Sequence, residues 1–98
     1  MDYEIEWSDT AKRQYQQVIE HLKTEWSVKD AENFIEKVNK KLTLLSKFPG
    51  IGRRSNKRKR VRKHLLTRQN MLFYEIKKDT IFLLAIYDTR QNPDKIKY

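Results

Sequence analysis

Residues 51–65, IGRRSNKRKRVRKHL, hold eight Lys or Arg together with His64, and no acid interrupts them. Cations at that density attract phosphate oxygens by charge and, for arginine, through paired N–H donors. His64 is the one side chain of the group whose ordinary pKa lies near neutrality, which makes it the first candidate for moving a proton. If a strand runs from about Arg60 to Leu66, then Arg60, Arg62 and His64 project to one face, with Lys63 on the other. Arg68 falls in the turn that follows. Upstream, Arg53, Arg54, Lys57, Arg58 and Lys59 form a loop whose cations, with Lys63, could follow a nucleic-acid backbone without reading bases. The competing roles are plainer: a half-buried His64 bonded to a neighbour, and a loop that is only solvated.

Other chemistries find no residues to carry them. The absence of cysteine excludes disulfides, thiolate metal sites and a thiol nucleophile. Glu4, Glu6, Asp9, Glu20 and Glu25 are scattered without ligand spacing, so neither a metal nor another cofactor is expected. No serine sits in a nucleophile elbow, and FPGIG (residues 48–52) lacks the Lys-Ser/Thr of a phosphate loop.

The net charge of +9 is unevenly spread. Thirteen of the Lys and Arg lie between Lys37 and Tyr74 with no acid, while the rest of the chain carries nine against thirteen acids. Such asymmetry points to a polyanionic partner: a nucleic acid, an acidic protein segment or, less readily, a membrane surface. Ninety-eight residues at 38% apolar content make one domain, 1–98, with a lean core. With no long apolar run and an acidic, mixed start (MDYEIEWSD), the expectation is a soluble cytoplasmic protein that does not engage membranes.

The elements that must position these side chains follow from periodicity. Tyr3 to Trp7 alternates as a half-buried strand, with Tyr3, Ile5 and Trp7 on one face. Ser8 or Asp9 caps a helix whose stripe is Ala11, Tyr15, Val18, Ile19, Leu22 and Trp26, with Trp26 as a lid on the helical hairpin. Ser27 and Asp30 form a capping pair for a second helix with Val28, Ala31, Phe34, Ile35, Val38, Leu42 and Leu45 in its stripe. FPG at residues 48–50 stops it. After the basic loop come strands over 60–66, 71–77 and 80–88, the last two joined at Lys78-Asp79, and then a polar tail. The fold class is α+β in the order β-α-α-β-β-β: a helical hairpin on one face of a small, mostly antiparallel sheet.

That order resembles the RelE/ParE superfamily of toxins from type II toxin–antitoxin modules, a group that includes plasmid-stabilisation proteins. The local patterns that carry the resemblance are W-S-x-x-A (residues 7–11), F-P-G-I-G (48–52), L-F-Y-E-I (72–76) and I-F-L-L-A-I-Y-D-T-R-Q-N-P (81–93). The resemblance implies one of two activities: ribosome-dependent mRNA cleavage, or inhibition of DNA gyrase without chemistry. It also implies neutralisation by a cognate antitoxin in a hetero-oligomer. A degenerate, non-toxic member that only binds its antitoxin is a third outcome.

Of these, the leading expectation is an mRNA endonuclease. Metal-free cleavage by a ribose 2′-OH needs a base, an acid and cations around the phosphorane. His64, Arg60, Arg62 and Arg68 are the candidates, joined by Arg90, which resembles the family's catalytic arginine beyond the last strand. Tyr98 is similar to the C-terminal aromatic that stacks on a substrate base in the nuclease branch. Arg90 has an alternative role, pairing with Asp88 or Asp94 to pin the tail. One departure is pronounced: where the nuclease branch opens its second C-terminal strand with a catalytic arginine, this chain has Met71.

Overall fold

The computed structural model describes residues 2–98. Its elements are β1 (Glu4–Trp7), α1 (Asp9–Glu25), α2 (Val28–Lys47), a 3-10 turn (Pro49–Ile51), β2 (Arg53–Arg54), β3 (Val61–Thr67), β4 (Asn70–Lys77), β5 (Thr80–Asp88) and a second 3-10 turn (Pro93–Lys95). The sheet order is β1-β5-β4-β3-β2, parallel at β1–β5 and antiparallel elsewhere. This is the expected helical hairpin on a mostly antiparallel sheet.

Alternation along each strand decides what is buried. Tyr3, Ile5, Trp7, Leu66, Leu72, Tyr74, Ile81, Leu83 and Ile86 face the helices, where they meet Ala11, Ile19, Phe34, Val38, Leu42 and Leu45. Val38, Leu45, Leu72, Ile81 and Leu83 are wholly buried, each worth about 1.5–3 kcal/mol in removed apolar surface. Trp7 stacks obliquely on Tyr15, and Tyr15 on Phe34, with centroids 4.9 and 5.7 Å apart.

The caps form as the sequence requires. Ser8 Oγ accepts the Ala11 amide at 3.0 Å, and Ser27 Oγ accepts that of Asp30 at 3.0 Å. Ser8 has a second task. Between Leu83 and Ala85 the β4–β5 register slips by a bulge at Leu84, and β1 ends beside Leu83. Backbone groups of β5 beyond that point lose their neighbour. Ser8 Oγ donates to the Leu84 carbonyl at 2.9 Å, and Gln14 Oε1 accepts the Ile86 amide at 2.6 Å. α1 thus covers the edge that β1 is too short to cover.

Three expectations need correction. The segment read wholly as a loop contains β2, a two-residue edge strand pairing Arg53 with Lys63 and Arg54 with Arg62. Arg60 lies in the turn before β3 rather than on it, because the Val61 amide bonds back to the Arg58 carbonyl and its carbonyl accepts from Ser55. Arg60 therefore does not share a strand face with Arg62 and His64. Trp26, read as a lid, is the C-cap of α1 and 72% exposed. The tail is ordered too: it recrosses the face of the sheet that the helices leave open. Lys78 takes the turn's left-handed position (φ 55°) that glycine would otherwise favour.

Candidate functional site

The basic loop is launched from a buried clamp. Tyr74, wholly buried on β4, donates its hydroxyl to the Pro49 carbonyl at 2.7 Å and accepts the Gly52 amide at 2.9 Å. Burial pushes the Tyr74 pKa up, with the Gly52 bond and the Arg62 charge pulling the other way. A Cβ at Gly52 would collide with the Tyr74 hydroxyl, and would lie 2.8 Å from Cε1 and 2.9 Å from the Lys63 carbonyl. Gly52 is needed here for this close approach, not for an unusual backbone angle. Arg62 adds to the clamp, its guanidinium donating to the Gly52 carbonyl at 2.8 Å and to that of Gly50 at 3.3 Å.

From that clamp, Arg53, Arg54, Lys57, Arg58, Lys59 and Arg60 all project into solvent. The loop is held from the other side by the end of the chain. Lys57 Nζ donates to the carbonyls of Pro93 and, at 2.6 Å, of Ile96. Ser55 Oγ donates to the Tyr98 carbonyl, and Arg58 Nε to that of Lys97 at 3.2 Å. The Arg58 guanidinium lies over the Tyr98 ring, 4.8 Å from its centroid, and the Tyr98 ring packs on Phe73 at 6.0 Å. Phe73 pairs with Lys63 across β3–β4 and sits edge-on to Tyr87 at 5.7 Å. The second face of the sheet, with buried Val61, Phe73 and Ala85, is thus partly roofed by residues 91–98.

The expected catalytic residues do not come together. His64 and Arg62 lie on the helix-covered face, level with core residues Leu72 and Tyr74. The His64 Nε2 is buried without a hydrogen-bond partner, and desolvation first, then the Lys41 charge, lower its pKa. The half-buried setting foreseen for it is present, but among the described residues no neighbour bonds to Nε2. Tyr98 and Lys63 occupy the opposite face.

Arg68 and Arg90 stand at the far end of the sheet, where Thr89 donates through its amide to Gln69 and through its hydroxyl to Arg68. Seven residues of β3 separate that end from Arg60, a span of roughly 20 Å at strand rise. Arg90 takes its simpler role, gripping Asp88 through Nε at 3.0 Å and through the amide and Nη2 at 2.8 Å. These bonds hold the Asp88 carboxyl down at about 2. Met71, in the place of the nuclease-branch arginine, pairs with Leu65 and Tyr87 in an apolar column.

Sequence reasoning missed Tyr74, Gly52 and Ser55. A readable signal existed for Tyr74, a hydroxyl at a core-parity position within LFYEI. For Ser55 no signal existed, because its partner lies forty-three residues away.

Among the described residues no cluster of His, Asp or Glu could hold a metal ion, and no helix is long and apolar enough to cross a membrane. A family model for the ParE toxin of the type II toxin–antitoxin system parDE matches residues 5–93. The chain belongs to the ParE toxin family.

Solved structures similar to this toxin include the chromosomal ParDE toxin–antitoxin system of Pseudomonas aeruginosa, 19% identical with a TM-score of 0.75. That match covers 88% of this chain and 95% of the other. The toxin is also similar to a chain of the RelBE2 toxin–antitoxin complex of Mycobacterium tuberculosis, at 15% identity and a TM-score of 0.62. Coverage there is 90% and 99%. Both likenesses are of fold. Comparison with curated protein sequences gives no match.

Proposed function

We propose that this ParE-family toxin acts by binding rather than by bond cleavage, with DNA gyrase as its target and an antitoxin segment covering its basic surface in the resting hetero-oligomer. The carrying observation is the dispersal of the groups that cleavage would need. The one imidazole of the basic region is half-buried with its Nε2 unpartnered among the described residues, and Arg62 is spent on loop carbonyls. Arg90 is spent on Asp88, and Met71 stands where the nuclease branch has a cation. A proton donor, an acceptor and a phosphorane-stabilising cation within reach of one phosphate are the minimum for metal-free cleavage, and the separate engagements of Arg62 and Arg90 among the described residues favour a reading without it. What remains exposed and concentrated is charge, which supports association with polyanions and acidic segments.

The test uses purified, antitoxin-free toxin in two assays. Gyrase supercoiling of relaxed plasmid is expected to fall with toxin concentration. In a cell-free translation reaction, primer extension is expected to show unaltered mRNA ends. Discrete ribosome-dependent cuts with gyrase unaffected would reverse the assignment in favour of the endonuclease.

A further inference from the structure

Residues 91–98 occupy the basic loop in a way that resembles a ligand. Three donors of the loop, on Ser55, Lys57 and Arg58, are directed at backbone carbonyl oxygens of the tail. An aromatic ring, Tyr98, fills the seat between the Arg58 guanidinium and Phe73. Oxygen acceptors spaced along a chain, with a flat ring wedged between a cation and an aromatic, are what a single-stranded polynucleotide presents: phosphate oxygens and a base.

We infer that residues 91–98 form a strap that holds, in cis, a binding site for single-stranded nucleic acid on the basic loop. Tyr98 stands in the base seat, and the carbonyls of Pro93, Ile96, Lys97 and Tyr98 stand where phosphate oxygens bind. The strap is suited to release. The carbonyls of Pro93, Ile96 and Lys97 are neutral, so they leave the charge of Lys57 and Arg58 uncompensated, and Asp94 is the one acidic side chain of the strap. A phosphodiester chain makes charge-assisted bonds with the same donors and displaces it. The strap's own internal bonds are few: Lys95 amide to Asn92, Ile96 amide to Pro93, and the Asp94 amide to the Asn92 side chain. The inference rests on the polyanion reading of the basic loop, and it adds the class of ligand and a competitor built into the chain.

The experiment compares wild type, Tyr98→Ala and Tyr98→Phe by anisotropy with a fluorescein-labelled oligothymidylate of about ten nucleotides. Thermal melts check that each variant is folded. Removing the Tyr98 ring forfeits its stacking on Phe73 and its contact with Arg58, so Tyr98→Ala is expected to bind about tenfold tighter. Tyr98→Phe should match wild type. In wild type, the oligonucleotide should speed amide exchange at Lys95 and Ile96.

Equal or weaker binding by Tyr98→Ala, where wild type binds, overturns the strap while leaving the polyanion reading intact. Failure of every variant to bind either the oligonucleotide or poly-glutamate overturns both. Binding of poly-glutamate by Tyr98→Ala without binding of the oligonucleotide overturns the nucleic-acid site and assigns the loop to an acidic peptide.

Discussion

The clamp that launches the basic loop can be taken apart one atom at a time. In Tyr74→Phe the buried Gly52 amide loses its acceptor and the Pro49 carbonyl its donor. Leaving a buried backbone donor unsatisfied costs about 2 kcal/mol, and the half-buried Pro49 carbonyl, which water can reach, adds about 1. The sum, about 3 kcal/mol, corresponds to a fall in Tm of roughly 12–24 °C for a domain of this size. Gly52→Ala attacks the same contact from the other side, driving a methyl into the Tyr74 ring and the Lys63 carbonyl, for about 1–3 kcal/mol. The double variant is the sharper measurement. Removing the hydroxyl relieves the closest collision, but Cε1 at 2.8 Å and the Lys63 carbonyl at 2.9 Å remain. The two changes should therefore total less than their sum by about 1 kcal/mol, with Gly52→Ala still destabilising when Tyr74→Phe is already in place. Urea unfolding reads all three, as shifts in midpoint at constant slope. Strict additivity, or a Tyr74→Phe cost below about 1 kcal/mol, would refute the clamp as the anchor of the loop.

Three further outcomes follow from the same geometry. Asp88 should titrate by carbon-detected NMR at about 2, and Arg90→Ala should return it to the ordinary carboxylate range. Because the folded-state pKa is depressed, the pair's stabilisation is present above about 4 and is lost as pH falls through about 2; the pair is largely exposed, so solvent screening keeps its contribution small. His64 is the opposite charge case. Its lowered pKa means that the unfolded chain takes up a proton first, so stability should decline as pH drops below 6.5. Denaturation at pH 7 and pH 5 should show that slope in wild type and a shallower one in His64→Gln. Trp26→Ala, at a 72% exposed position, should change stability by less than about 0.5 kcal/mol. Its fluorescence spectrum should move to shorter wavelength, since the remaining Trp7 is packed on Tyr15.

The patterns that made the chain recognisable turn out to be structural. In W-S-x-x-A, Trp7 packs in the core, Ser8 caps α1 and covers the Leu84 bulge, and Ala11 is wholly buried. F-P-G-I-G and L-F-Y-E-I meet each other, since Tyr74 grips Pro49 and Gly52. The fold was therefore legible from the residues, while the same signatures said little about activity. They preserve the platform, and the platform hosts more than one function.

Periodicity and capping chemistry by themselves determined the helical hairpin, the long strands and the concentration of charge between Lys37 and Tyr74, because each depends on neighbours a few positions apart. What the loop touches was decided only by the tertiary structure. Strand alternation placed Arg62 and His64 on one face, as expected, but it could not say that this face is the one the helices cover. Nor could it separate Arg60 from them, bring Arg90 to Asp88 in preference to Asp94, or lay Tyr98 between Arg58 and Phe73. Those outcomes depend on which sheet face buries its apolar residues under the hairpin and on where the returning tail finds donors. Both are settled by contacts between residues far apart in the chain, to which local spacing is blind.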